Sequence, residues 1–200
     1  MRVITGSARG HPLKVPKSAS TRPTPARAKE AMFSSLGNLV PESRVLDLFA
    51  GSGAFGIEAL SRGAMEAVFV ELDGMACSTL RDNLRSTQLE DNATLMDMDV
   101  PGALASLAGQ ARVFDIIFAD PPYLKSKVSS PKSKVDTRSG RTVDWKKFLL
   151  GSGELKKLLA PNGVLLIEHY KQDPGVESAL FKPQKEFRFG DTLITLFDHV

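Results

Sequence analysis

From Arg44 onward the chain alternates short apolar runs with segments of helical period, and that alternation confines it to few folds. Apolar runs of about four to eight residues bounded by turn residues read as buried strands, and helical patterns between them read as crossovers of a parallel sheet. Val45–Ala50, Ala67–Glu71, Ala93–Asp97, Phe114–Asp120 and Val164–His169 are the five strand candidates. Cys77, Leu80 and Leu84 share one helical face, and Trp145, Phe148, Leu149, Leu155, Leu158 and Leu159 mark another amphipathic face, so helices pack on the sheet. Lys185–Phe189 and Thr192–Phe197 flank Gly190-Asp191, whose leading glycine suits a type II′ turn, and finish the sheet as an antiparallel pair. The pattern predicts an α/β fold with a mostly parallel, doubly wound sheet.

Ahead of this body, Arg2–Thr5 and Pro12–Val15 form a candidate hairpin around Gly6–Gly10, followed by a stretch rich in Ser, Thr and Pro. Thr24-Pro25 is a helix start, with Thr as cap and Pro in the first turn, and Ala28, Met32, Phe33 and Leu36 supply the apolar side. Two hundred residues with 42% hydrophobic content fit one domain spanning 1–200, divided into an N-terminal arm (1–24) and a core (25–200).

The net charge of +3 is unevenly spread. Residues 1–29 carry seven basic side chains and no acidic one, residues 124–147 carry eight basic and two acidic, and the other 147 residues therefore carry −10. Such a split suggests a polyanionic partner, with Arg2, Arg9, Lys14, Arg22 and Arg27 as candidate phosphate contacts; the alternative is a solvated tail and a solvated loop. Residues 124–144 lack periodicity and read as a long basic loop. No run approaches the roughly 18 apolar residues of a membrane helix, and the first residues lack a signal-like apolar core, so a cytoplasmic protein is expected. A single cysteine, Cys77, and three histidines lead us to expect neither a disulfide nor a bound metal.

Gly51-Ser52-Gly53-Ala54-Phe55-Gly56 follows a strand and precedes a helix, with Glu71 twenty residues beyond Gly51. Taken alone, this fits a nicotinamide dinucleotide site. Asp47, four residues before Gly51, shifts the balance. A carboxylate facing that pocket suits the ammonium and sulfonium of S-adenosylmethionine, whereas beside a pyrophosphate it would meet like charge. Asp47 could instead serve only the loop's own N–H groups, and Glu71 could be a surface carboxylate at a strand end.

Asp120-Pro121-Pro122-Tyr123 ends the fourth strand, at the sheet edge where ligands bind in such folds. Two prolines fix the turn and donate no N–H, so a carboxylate and nearby carbonyls make an acceptor-only site beside an aromatic ring. An exocyclic base amine is the donor such a site wants. Its lone pair is shared with the ring, and two acceptors holding its hydrogens localise that pair for attack on a methyl group. The base must also leave its stack, and Tyr123 would become its new stacking partner.

The chain closely resembles the bacterial guanine-N2 methyltransferases of small-subunit ribosomal RNA. The resemblance runs through Arg2-Val3-Ile4-Thr5-Gly6, Arg22-Pro23-Thr24, Leu46-Asp47-Leu48-Phe49-Ala50-Gly51-Ser52-Gly53-Ala54, Glu58-Ala59-Leu60-Ser61-Arg62-Gly63-Ala64, Glu71-Leu72-Asp73, Asp120-Pro121-Pro122-Tyr123, Glu168-His169 and Phe189-Gly190-Asp191-Thr192. It implies a seven-stranded sheet and S-adenosylmethionine as cofactor. Asp47, Phe49, Ala50, Gly51, Ser52 and Gly53 would surround the cofactor's amino-acid part, Glu71 and Leu72 the ribose, and Asp99 the adenine amino group, with Asp97 as the alternative. Asp120, Pro121, Pro122 and Tyr123 would form the catalytic loop, and ribosomal RNA, free or in an assembling subunit, would be the partner. Two departures stand out: the bulky Phe55 in the glycine loop, and the length and basicity of residues 124–144.

Three other functions compete. The same acceptor loop fits adenine-N6 methylation of DNA or RNA. A non-catalytic nucleic-acid-binding module with a relict cofactor fold would have no use for Asp47, Gly51, Gly53, Glu71 and Asp120 together. A nicotinamide oxidoreductase would need a hydride site that the chain does not evidently supply.

Overall fold

A computed structural model describes residues 1–16, 26–122, 134–135, 142–171, 173 and 177–200. The Arg22-Pro23-Thr24 segment, Tyr123 and most of the basic loop 124–144 lie outside the described residues.

Seven strands form one sheet: β1 (Arg44–Leu48), β2 (Glu66–Glu71), β3 (Ala93–Asp97), β4 (Phe114–Ala119), β7 (Leu159–Tyr170), β8 (Phe181–Phe189) and β9 (Thr192–His199). Their order is β3-β2-β1-β4-β7-β9-β8, and β9 alone runs antiparallel to the other six strands. Strands β1, β2 and β4 are buried almost end to end, as parallel strands covered on both faces must be. Gly190 alone of its turn pair takes a positive φ, 63°, as a type II′ turn between β8 and β9 requires.

Helices cover both faces. α1 (Ala26–Leu36), α2 (Ala54–Ser61) and α3 (Gly74–Thr87) pack with Val45, Phe69, Phe118 and Leu166 on one side. α4 (Val100–Gly109), α5 (Trp145–Leu150) and α6 (Gly153–Leu158) pack with Leu46, Val70, Ile117 and Ile167 on the other. Local chemistry sets their starts: Asp73, Asp99, Asp144 and Ser152 each accept a backbone N–H three residues on. Among the described residues, no helix is long and apolar enough to cross a membrane.

The structure differs from the sequence reading in three places. The amphipathic face from Trp145 to Leu159 is two helices, because Ser152 caps a new one and Leu159 already belongs to β7. Within the basic loop, β5 (Lys134–Val135) pairs with β6 (Thr142–Val143) as a short antiparallel ladder. The N-terminal segment is also more than an appendage. Met1–Pro16 folds back through a single bridge, Arg2 to Pro12, and buries Val3, Ala8 and Leu13 in the α1–α3 core.

That docking is polar as well as apolar. Glu58, fully buried in α2, accepts the N–H groups of Ile4 (2.8 Å) and Thr5 (3.0 Å) and pairs with Lys29 Nζ (3.0 Å) and Arg62 Nε (2.8 Å). Asn83 accepts the Lys14 N–H (2.8 Å) and donates through Nδ2 to the Lys14 and Ser52 carbonyls. At Gly6, φ is 90° and a Cβ would collide with the Ser61 backbone, so only glycine lets the segment lie this close to α2.

Candidate active site

Doubly wound sheets bind ligands outside the carboxyl ends of the strands, where the strand order reverses. Here the reversal lies between β1 and β4, and both motifs singled out from the sequence stand at that edge. Leu48 pairs with Ala119, and the Asp120 N–H reaches the Leu48 carbonyl (3.4 Å), so Asp120 enters its loop directly beside Phe49.

The glycine loop turns through left-handed backbone at Phe49 (φ 61°), Gly51 (φ 56°) and Gly53 (φ 78°). For a residue as bulky as Phe49 that conformation is strained, and the ring is held edge-on against Trp145 at 4.9 Å between centroids. The Ala50 N–H ties the loop to the Val70 carbonyl, and the Asn83 amide holds the buried Ser52 by its carbonyl. A Cβ on Gly53 would meet Leu80 and Ile57, so α2 packs against α3 only because this residue has none. Phe55, the unusual residue of the loop, stacks on Phe118 at 5.0 Å inside the core.

Two carboxylates hold this loop from below and from the side. Asp47 is 2% exposed and accepts the Gly56 N–H at 3.0 Å, which places it beneath the loop at the start of α2. Burial pushes its carboxyl up to about 7, against the Gly56 hydrogen bond and with help from the Glu71 charge. Glu71 accepts the Gly51 N–H on one oxygen (2.7 Å) and those of Leu72 and Asp73 on the other (both 2.8 Å). A carboxylate offers about four acceptor positions, so binding two further hydroxyls would require release of at least one of these bonds.

Asp97, Asp99, Pro121 and Pro122 fall around the same edge, whereas Arg9 stands at the far end of α2, where its neighbours Ser7 and Ala8 bond Ser61. Asp99 caps α4 through the Gly102 N–H (2.8 Å), while Asp97 lies opposite Glu71 in the β2–β3 register and faces Arg81 at 3.8 Å. Pro121 is buried and Pro122 exposed. Arg2, Arg9, Lys14 and Arg27 are exposed, and Lys14 pairs with Asp82 at 2.8 Å. Sequence reasoning gave no role to Lys29 or Asn83 and quoted Glu58 only within a motif, yet they tie the N-terminal segment to the glycine loop; Lys29 also reaches the Ala54 carbonyl at 3.4 Å. Glu58 and Arg62, spaced i and i+4 in an apolar helix, were the available signal.

This sheet order, with one antiparallel strand beside the last parallel one and a glycine turn after β1, is the fold of class I methyltransferases. The chain belongs to the family described as Conserved hypothetical protein 95, whose profile matches residues 1–139. Putative rRNA methyltransferase YlbH of Bacillus subtilis is 42% identical over 136 residues, 68% of this chain and 74% of that protein. Ribosomal RNA small subunit methyltransferase D of Escherichia coli K12 is 39% identical over 123 residues, and the match spans 62% of this chain and 60% of that protein. Among solved structures, the putative methyltransferase yhhF of Escherichia coli superposes with a TM-score of 0.73 at 27% identity, covering 100% of this chain and 97% of that one.

Proposed function

We propose that this protein transfers a methyl group from S-adenosylmethionine to the exocyclic N2 amine of a guanine in small-subunit ribosomal RNA. The observation that carries the reading is the placement of the acceptor-only loop Asp120-Pro121-Pro122 beside the glycine turn, at the β1/β4 reversal of a methyltransferase sheet. The names of the relatives supply the RNA class.

The residues present fit the cofactor. The Cβ direction at Gly51 is open save for the Phe49 carbonyl at 4.0 Å, which lets a ligand approach the loop's backbone, and the Glu71 carboxylate, together with Asp47 once ionised, favours a cation. When bound, S-adenosylmethionine supplies the activated methyl group. Glu71 orients the ribose by exchanging a loop N–H for a hydroxyl. Asp120 and the Pro121 carbonyl accept the two amine hydrogens, localise the nitrogen lone pair and stabilise the positive charge that grows on nitrogen. Tyr123 stacks on the unstacked base, and the exposed Arg2, Arg9 and Arg27 meet phosphates.

The test is to incubate the protein with radiolabelled cofactor and total RNA from cells lacking its gene, then identify the labelled nucleoside. N2-methylguanosine in small-subunit RNA is the expected product. Label in N6-methyladenosine instead, or in no RNA, would overturn the proposal.

A further inference from the structure

Glu168 is a buried carboxylate that the site described above does not use. It is 8% exposed near the carboxyl end of β7. Ala119 of β4 pairs with Ile167 of β7 in parallel register, so one step further along both strands stand Asp120 and Glu168. Phe118 and Leu166 point to the α1–α3 core, Ala119 and Ile167 to the opposite one. Side chains alternate along strands, and the Asp120 N–H on the Leu48 carbonyl carries the β1–β4 ladder one residue past Ala119, which puts Asp120 and Glu168 on the α1 side of the sheet with their backbones one strand spacing, about 4.8 Å, apart.

From this juxtaposition we infer that Glu168 determines the choice of base by accepting the N1–H of guanine. The inference rests on the reading that the Asp120 loop holds the target amine. Guanine presents two neighbouring donors on its pairing edge, N1–H and the N2 amine. Adenine presents its amine beside a bare N1, which is an acceptor. With Asp120 and the Pro121 carbonyl on the amine, an in-register carboxylate on the same face falls beside the next edge position. There it bonds guanine N1–H and repels the lone pair of adenine N1. Two donors on the base meet two carboxylates on the protein, and no other base repeats that pattern beside an exocyclic amine at the 2-position.

The experiment uses a short RNA containing the guanine that the wild-type protein methylates, made with guanine or with 2-aminopurine at that position. 2-Aminopurine keeps the 2-amino group but has no hydrogen on N1. In single-turnover transfer, wild type should prefer guanine by about 100-fold or more, as a site built around a substrate N–H discriminates against its loss. Glu168→Gln, whose amide can donate to a bare N1, should cut that preference to about tenfold or less at unchanged cofactor affinity. Equal rates on the two RNAs with wild type overturn the inference without any variant. A Glu168→Gln protein that slows both RNAs alike also overturns it, because Glu168 is then structural. If the wild-type product on unmodified RNA is not N2-methylguanine, the proposed function itself falls, and that is read before the analogue is used.

Discussion

The loop after β1 and the loop after β4 meet at one edge of the sheet but keep their shapes by different means. The first is conformationally permissive, and Asp47, Glu71, Asn83 and Lys29 hold its backbone from four other elements. The second contains two successive prolines, each with φ fixed near about −65° by its own ring. The glycine loop is therefore a cradle made by tertiary structure, and the proline loop carries its geometry in its covalent bonds. Side chains around the first should govern folding and cofactor affinity together, whereas Asp120 at the second should govern the rate of transfer.

The harshest way to break the first loop is Glu58→Ala. It leaves Lys29, 3% exposed and with its ammonium already disfavoured by burial, without its buried partner, and strips acceptors from the Ile4 and Thr5 N–H groups. Loss of one partner of a buried ion pair costs about 3–5 kcal/mol, readable by denaturant unfolding. A loss below about 1 kcal/mol would show that this cluster does not clamp the N-terminal segment.

Glu71→Ala should weaken S-adenosylmethionine binding by roughly 1–3 kcal/mol in a calorimetric titration, the worth of hydrogen bonds to a charged group. The same variant should lose some stability, because three loop N–H groups exchange a carboxylate for water. Unchanged affinity in a folded variant would move the ribose contact away from Glu71.

Asp47 gives a pH test of smaller size. Its folded-state carboxyl titrates at about 7, above the ordinary 3.8, so the folded protein keeps a proton that the unfolded chain releases. The stability tied to that proton is full below about pH 4 and is lost as pH rises toward 7. A cationic cofactor favours the ionised form, so affinity should rise about tenfold from pH 6 to pH 8 if only that form binds. Asp47→Asn should flatten both profiles, and a wild-type affinity independent of pH in this range would contradict the assignment.

The smallest effect separates side chains from backbone in the N-terminal segment. Its ties to α2 and α3 run largely through main-chain atoms, while Arg2 and Arg9 face outward. Neutralising both should reduce the salt slope of RNA binding by about 1.4, at about 0.7 per phosphate contact, and leave cofactor affinity alone. Deletion of the segment is a poorer test, because it would also uncover Glu58 and Asn83 beneath the glycine loop. An unchanged slope would assign the phosphate contacts to other residues.

Much of this was legible in the sequence because it is encoded locally. The strands of the parallel sheet, the closing hairpin with its Gly190 turn and the two carboxyl-edge motifs all show themselves within windows of about ten residues. The unread parts depend on contacts between distant positions. Glu58 meets Ile4 and Thr5 more than fifty residues away, and Asn83 meets Lys14 across 69, separations that no period reports. Val3, Ala8 and Leu13 are too few to show a pattern, so a docked segment looked like a basic tail. Two local signals were readable and missed: the cap at Asp99 followed by Pro101, which starts α4, and the cap at Ser152, which splits α5 from α6.

The central claim is that Asp120 holds the target amine while the glycine loop holds the cofactor, and single-turnover transfer by Asp120→Ala tests it most directly. Cofactor affinity, titrated separately, should stay within about twofold of wild type, because none of the carboxylates that brace the glycine loop is touched. The rate should fall by about 10²–10³, or some 3–4 kcal/mol, as when one preorganised transition-state hydrogen bond is removed. Asp120→Asn should lie between, since its amide oxygen still accepts without charge. Transfer by Asp120→Ala at the wild-type rate would contradict the account.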